Sequence, residues 1–155
     1  MNDIELMRRA IDLAKKSVAN GGGPFGAVIA KDGEIIAEAA NSVTADCDPT
    51  AHAEVKAIRL AASRLGTFKL SGCTIYASCE PCPMCLGAIY WAHIDKLFYA
   101  SNRKDAAAAG FDDDFIYREL SLPPSERRHP ATVMLSDEAA EALRLWIDKA
   151  DKTLY

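Results

Sequence analysis

The pattern of apolar and polar positions along the chain predicts alternating helices and strands. Apolar side chains recur at helical spacing over residues 3–19, which is typical of an amphipathic helix. Shorter apolar runs bounded by glycine, proline or polar clusters are typical of strands. The predicted elements are, in order, a helix over 3–19, strands over 25–30 and 35–40, a polar loop over 41–47, a helix over 49–65, a strand over 73–78, a helix from 81 or 82 to about 92, a strand over 96–100, a helical turn over 105–109, a short strand over 131–135 and a helix over 136–150.

This order of elements predicts the fold class. Asp32-Gly33, between the first two strands, is a strong hairpin signal, so these strands are expected to pair. The alternation of helices and strands predicts a three-layer α/β/α sandwich around a mixed central sheet of about five strands. A chain of 155 residues is long enough to bury a core, and we expect a single domain over 1–155.

Two predicted helices begin with residues that carry chemistry. Asp48-Pro49 is expected to cap and start one helix, which places His52 and Glu54 in its first turn. Side chains two apart on a continuous helix point about 200° apart, so these two can serve one site only beyond the helix end. The run 82–85 opens the next helix with two cysteines. We therefore expect two helix N-termini, with their positive dipole ends, to converge on one site.

These residues match the ligand pattern of a catalytic zinc site. Cys82 and Cys85 are three apart and share one face of a helical turn, which suits two tetrahedral positions around zinc. His52 supplies a third ligand, and three protein ligands with an open fourth position distinguish catalytic from structural zinc. The alternative is a structural site closed by Cys79 or His93, although His93 lies about 16 Å along the helix and is poorly placed.

Composition bears on the compartment and the partners. The cysteine count is odd at five, and the N-terminus lacks the layout of a secretory signal, so we expect free thiols and a cytoplasmic protein. No run reaches the roughly 18 apolar residues of a membrane span. The net charge of −4 and the lack of a basic stripe argue against nucleic acid as a partner.

The motifs resemble the cytidine deaminase superfamily and, within it, the branch of bacterial guanine deaminases. His-x-Glu followed by Pro-Cys-x-x-Cys is the signature of the zinc nucleobase deaminases, and its two halves stand at 52–54 and 81–85. The Gly-Phe-Asp-Asp run at 110–113 and the aromatic last residue, Tyr155, resemble the guanine branch in particular. The matching stretches are 23–28, 48–54, 79–91 and 109–117.

The resemblance implies roles for particular residues. One Zn²⁺ per chain would be held by His52, Cys82 and Cys85, and Glu54 would shuttle protons. Asp113 would face the ring N–H and amino edge of the substrate and assist proton transfer, although from the residues alone 112, 113 and 114 are equivalent candidates. The implied substrate contacts are Phe25, Asn41, Trp91, Asp113 and, from the partner in a homodimer that exchanges residues 131–155, Tyr155.

The resulting hypothesis is hydrolytic deamination of guanine to xanthine and ammonia. Zinc lowers the pKa of a bound water toward about 7, so that hydroxide can attack the amino-bearing ring carbon while Glu54 moves the protons. Alternatives are a tRNA adenosine deaminase, which would need a basic surface, and a deaminase of cytosine, guanosine or ammeline. A non-catalytic module with structural zinc is a further alternative, but it would have no need for Glu54.

Overall fold

Seven α-helices and four strands follow one another in a computed structural model that describes residues 1–155. The chain divides into an N-terminal unit, Met1–Ile116, and a C-terminal unit, Tyr117–Tyr155. The helices are α1 (Asp3–Ala19), α2 (Val43–Asp46), α3 (Ala53–Leu65), α4 (Pro83–Trp91), α5 (Arg103–Ala108), α6 (Asp113–Leu120) and α7 (Ser136–Asp148), with a 3-10 turn at Pro124–Glu126. The strands are β1 (Gly26–Lys31), β2 (Glu34–Ala40), β3 (Cys73–Cys79) and β4 (Lys96–Ser101).

The strands form one mixed sheet with the order β2-β1-β3-β4. β1 pairs antiparallel with both β2 and β3, whereas β3 and β4 are parallel. The parallel pair is joined through α4, which is the crossover that parallel strands require. The prediction of a mixed sheet is confirmed, but the sheet has four strands where about five were expected.

Helices cover the sheet from two sides, because successive residues of a strand point to opposite faces. Ala27 and Ile29 of β1 belong to a hydrophobic cluster that includes buried residues of α3 and α4. Val28 and Ala30 belong to a second cluster, together with Leu6 and other residues of α1. The three-layer α/β/α arrangement predicted from the order of elements is therefore confirmed.

The helix that carries His52 begins later than the sequence predicted. α3 starts at Ala53 with His52 as its N-cap, and not at Pro49 with Asp48 as the cap. The Asp48 carboxylate instead accepts hydrogen bonds from the Thr50 N–H (2.8 Å) and hydroxyl (2.7 Å), which closes a local turn. The loop predicted over 41–47 also contains a short helix, α2. His52 consequently stands at the very end of its helix, where its side chain can face outward along the axis.

The C-terminal unit contains no strand. The apolar run 131–135 was predicted to be a short strand, and this prediction is wrong for the isolated chain. A strand exists only where its backbone groups find a partner, and the N–H of Ala131 bonds to the carbonyl of Pro124 in a local turn. None of residues 117–155 is buried, although α7 is amphipathic. Tyr155 contacts Trp146 of α7 edge to face, with ring centroids 6.4 Å apart.

None of the helices combines the length and the apolar character needed to traverse a lipid bilayer.

Tyr76 links β3 to the start of α1 and gives a testable alkaline transition. Its buried hydroxyl donates a 2.7 Å hydrogen bond to Asp3, and burial together with this bond raises the Tyr76 pKa to about 12. The folded state therefore favours the neutral phenol. Its stabilisation is complete below the ordinary pKa of about 10 and is lost as the pH rises through about 12.

We expect Tyr76 to ionise last among the five tyrosines in an ultraviolet absorbance titration. The late step should coincide with loss of stability in denaturant unfolding, and it should disappear in Tyr76→Phe. A titration in which all five phenols ionise together while the protein remains folded would contradict this assignment.

Candidate active site

A cavity of about 420 Å³ in the N-terminal unit collects most of the predicted site residues. This volume is typical of a site for a small molecule. A larger groove, of about 920 Å³, runs along β2. It is lined by neither cysteine nor histidine, so its larger size does not make it a candidate for the zinc site. The predicted residues that line the smaller cavity are Phe25, Asn41, His52, Glu54, Cys82 and Asp113.

His52, Cys82 and Cys85 form a cluster that fits zinc. Their ligand atoms all lie within 4.8 Å of one another, and the Nδ1 atom of His52 is 3.5 Å from each sulfur. Zn–S and Zn–N bonds of about 2.3 and 2.0 Å at a tetrahedral angle place S and N about 3.5 Å apart, so no ligand has to move far. His52 and Cys82 are N-caps whose side chains make no capping hydrogen bond, which leaves both to the cluster.

The charge distribution in the cluster suits a bound cation. A hydrogen bond from Cys85, supported by His52, lowers the pKa of Cys82 to about 4. The same bond to Cys82, together with burial, raises the pKa of Cys85, and the bond to Cys82 also raises the pKa of His52. Zinc is bound by thiolates and a neutral imidazole, so zinc binding would release any protons that these three side chains carry.

Glu54 lies beside this cluster without belonging to it. It is only 6% exposed, and its carboxyl oxygen Oε2 lies 3.5 Å from the sulfur of Cys85. Burial raises the pKa of Glu54 above the ordinary range of carboxyls. A buried carboxyl group that lies next to the metal position without being a ligand can both accept and return a proton.

The segment after α5 brings two residues into the cavity. Gly110, with φ +97, ends α5 in the left-handed conformation, and hydrogen bonds from Phe111 N–H to Ala106 (2.9 Å) and from Gly110 N–H to Ala107 (3.0 Å) complete a Schellman motif. This turn places the ring of Phe111 edge to face against Phe25, with centroids 4.9 Å apart. Gly110 suits the position because only glycine adopts this conformation without strain.

The three consecutive acids of this segment have three different environments. Asp112 accepts a 3.0 Å hydrogen bond from the Phe115 N–H at the start of α6, and Asp114 forms an ion pair with Arg103 at 3.4 Å. Asp113 lines the cavity, and burial together with the nearby Cys82 raises its pKa. Of the three, Asp113 is the acid that faces the pocket.

Asn41 is held so that one end of its amide is available. Its side-chain oxygen accepts a 3.2 Å hydrogen bond from the Val43 N–H, and its own N–H bonds to the Phe25 carbonyl at 3.0 Å. The side-chain NH₂ group takes part in none of the hydrogen bonds observed. It can therefore donate to an acceptor bound in the cavity.

Other predicted residues lie outside the cavity lining. Trp91 ends α4 and is 67% exposed, and Tyr155 is 72% exposed in the C-terminal unit. Cys79 bonds weakly to the Asn102 carbonyl at 3.8 Å, and burial raises its pKa to about 11. Neither Cys79 nor His93 belongs to the metal cluster, so a zinc site closed by either of them has no support.

Phe111 and Glu80 line the cavity but were not singled out from the sequence. Glu80 follows β3, and its carboxylate accepts a 3.1 Å hydrogen bond from the Arg103 N–H. The available signal was its position immediately before the Pro-Cys-x-x-Cys motif at 81–85. For Phe111, the only signal in the sequence was its position in the Gly-Phe-Asp-Asp run.

Comparison with known proteins agrees with this geometry. Residues 1–101 match the family model for the cytidine and deoxycytidylate deaminase zinc-binding region. The chain is 53% identical to guanine deaminase of Bacillus subtilis over the full length of both proteins, and 44% identical to a tRNA-specific adenosine deaminase of Aquifex aeolicus over 92% of each. The X-ray structure of guanine deaminase from Bacillus subtilis superposes with a TM-score of 0.96 at 52% identity, covering 100% of this chain and 99% of that one. The chain therefore belongs to the family of the cytidine and deoxycytidylate deaminase zinc-binding region.

Proposed function

We propose that this protein is a zinc-dependent guanine deaminase that hydrolyses guanine to xanthine and ammonia in purine catabolism or salvage. The observation that carries the proposal is the likeness to guanine deaminase of Bacillus subtilis, which extends over the full length of both chains. The zinc cluster and Glu54 are common to deaminases of several substrates, so the choice of guanine depends on the rest of the pocket.

The lining of the cavity suits an uncharged base rich in hydrogen-bond donors. Apart from His52 and Cys82 of the zinc cluster, its ionisable side chains are those of Glu54, Glu80 and Asp113, and no lysine or arginine lines it. Guanine carries donors at its ring N–H and amino group and acceptors at O6 and N7. Asp113 can accept from the donors, and the NH₂ of Asn41 can donate to an acceptor. The lining offers no lysine or arginine to a phosphate, which disfavours nucleotides and nucleic acid.

Different residues of the site bind zinc, transfer protons and orient the substrate. His52, Cys82 and Cys85 would hold zinc, which supplies the Lewis acidity that makes water nucleophilic at neutral pH. Glu54 would accept one proton of that water and deliver it to the ring nitrogen, and it would then transfer the remaining hydroxyl proton to the departing amine. Asp113 orients the amino edge and assists this transfer.

The test is ammonia release by the zinc-loaded protein from guanine, cytosine, guanosine and ammeline, with a tRNA anticodon stem-loop assayed for adenosine deamination. We expect guanine to be turned over at least about tenfold faster than every other compound. Conversion of the stem-loop without turnover of guanine would replace the proposal by the tRNA adenosine deaminase alternative.

Asp113→Asn is expected to lower kcat/KM for guanine by about 10²-fold, because the amide cannot act as a proton acceptor. The neighbouring acids provide matched controls. Asp112→Asn and Asp114→Asn should retain activity within about tenfold, since these side chains serve a helix start and an ion pair and do not line the pocket. Equal losses in all three variants would show that the segment acts through its overall charge.

We propose that the protein is a homodimer in which residues 131–155 are exchanged. β4 has a neighbour on one side only, and its Phe98 and Tyr99 are 40% and 47% exposed. In the C-terminal unit, Val133 and Met134 are 82% and 80% exposed in an apolar run without a strand partner. Open strand edges invite pairing with another chain. Residues 131–135 of one subunit would add a fifth strand to the sheet of the other.

The exchange would complete the binding site. Tyr155 of one subunit would close the pocket of the other, and Trp91 would contribute with Phe25 to the wall around the base.

All five cysteines are free thiols, which supports the proposed cytoplasmic location.

Complementation between two impaired variants tests the exchange. Glu54→Gln and Tyr155→Ala proteins are unfolded, mixed and refolded. In an exchanged dimer, the Tyr155→Ala subunit receives an intact tail from its partner. We expect about a quarter of wild-type activity, since half of randomly assorted dimers are mixed and each of these has one complete site. If the tail closes the site of its own chain, no activity returns.

A further inference from the structure

A second cavity, of about 360 Å³, adjoins the substrate pocket in the N-terminal unit. The two cavities share two lining residues, Phe25 and Phe111, and no others. The lining of this adjoining cavity is mostly apolar, although Lys15 and Asp105 also contribute to it. Examples of its apolar lining residues are Ile11, Ala14, Val18 and Ala106.

The two shared rings form the wall between the cavities. They meet edge to face at 84° with centroids 4.9 Å apart, which is a favourable aromatic contact that leaves no room for a third group. The backbone on both sides is fixed, because the Phe25 N–H bonds to Gly23 at 2.9 Å and Phe111 follows the Schellman turn at Gly110. A bound ring in the substrate pocket would therefore meet an aromatic surface whose backbone is held by hydrogen bonds.

The two rings of this wall differ in how they pack against the rest of the protein. Phe25 packs against the hydrophobic cluster beneath α3 and α4, so its removal would disturb the core. Phe111 is 40% exposed, belongs to neither cluster and lies on a loop. Truncation of Phe111 is therefore expected to open the wall without disturbing either hydrophobic cluster.

We propose that Phe111 sets the largest ring that the enzyme accepts, by closing the substrate pocket off from the adjoining apolar cavity. The inference rests on the proposed deamination of guanine and deepens it by naming the residue that limits the substrate. Guanine fits in front of the wall. A guanine with an alkyl group on its five-membered ring is rejected, because the alkyl group meets the ring of Phe111. Without that ring the alkyl group enters an apolar space that suits it.

The experiment compares guanine with 7-ethyl-, 8-ethyl- and 9-ethylguanine in the wild type and in Phe111→Ala. The measured quantity is the ratio of kcat/KM for guanine to kcat/KM for each ethylguanine. We expect Phe111→Ala to lower this ratio by about tenfold or more for at least one ethyl position, and to raise KM for guanine by about tenfold through lost contact with the base. Phe111→Leu, which keeps most of the bulk, should retain a ratio near that of the wild type.

Phe68→Ala is the matched control, because Phe68 is 48% exposed and lines neither cavity. It should leave every ratio unchanged. Phe111→Val serves as a second variant if Phe111→Ala fails to fold, and its ratio should also fall. Ratios that stay at the wild-type value in a zinc-containing variant that still deaminates guanine overturn the proposal. Guanine turnover by the wild type, measured first, tests the proposed function separately.

Discussion

Glu54→Gln is expected to lose roughly 10³-fold in kcat for ammonia release while it keeps one zinc per chain and its fold. The carboxylate is buried beside the metal cluster without being a ligand, so its removal takes away the proton carrier and leaves the metal site. The amide has the same size as the acid, and an uncharged group is easier to bury than a carboxylate, so stability should not fall. The measurements are steady-state kinetics, zinc analysis and thermal unfolding of the same preparation.

Glu80→Gln is the control for this variant, because Glu80 lines the same cavity and its remaining oxygen can still accept the hydrogen bond from Arg103. It should lose less than about tenfold, since the pocket keeps its proton carrier. If Glu54→Gln retained activity within tenfold of the wild type, another group would have to move the protons. Asp113, the other pocket acid with a raised pKa, would then be the first to examine.

The zinc site could be predicted because short-range geometry determines most of it. Cys82 and Cys85 are brought together by a single helical turn, whatever the rest of the chain does. The role of Glu54 was predicted from the His-x-Glu half of the deaminase signature, and the structure places its buried carboxyl group beside the cluster. The start of α3 was predicted wrongly, but this does not affect the zinc site. The predicted and the observed helix both place His52 near the helix N-terminus.

The errors arose where one local signal can be satisfied in two ways. The Asp48 carboxylate can cap a helix or bond two residues ahead, and both conformations use the same side chain. The run 131–135 has the composition of a strand, but pairing depends on an edge elsewhere that the sequence of the run does not reveal. Both cases depend on which partner is available in three dimensions.

The substrate side of the pocket was less predictable for a similar reason. Asp112, Asp113 and Asp114 are chemically identical, and their roles separate only because Phe115 and Arg103 engage two of them. Phe111 belongs to no periodic pattern, so nothing in the sequence alone connects it with Phe25 across the fold. The contact exists because a glycine turn redirects the chain after α5.

Cys85→Ser is expected to abolish stable zinc binding and, with it, activity. Cys85 is fully buried, and serine is close in size but is a poor zinc ligand, so the loss is one of coordination and not of volume. Binding to the folded state alone contributes about 4 kcal/mol at a thousandfold excess of zinc over its Kd. We therefore expect a clear fall in melting temperature. A chelator should then lower the melting temperature of the wild type but leave that of the variant unchanged.

Cys73→Ser separates the metal effect from the burial of a hydroxyl group. Cys73 is also fully buried but lies in the core cluster, away from the zinc ligands. Its substitution should cost about 1–3 kcal/mol through an unsatisfied hydroxyl, with zinc content, activity and sensitivity to the chelator preserved. If Cys85→Ser behaved like Cys73→Ser and kept one zinc per chain, Cys85 would not be a ligand. The short distances between its sulfur, His52 and Glu54 would then describe a packed thiol beside a metal held by other groups.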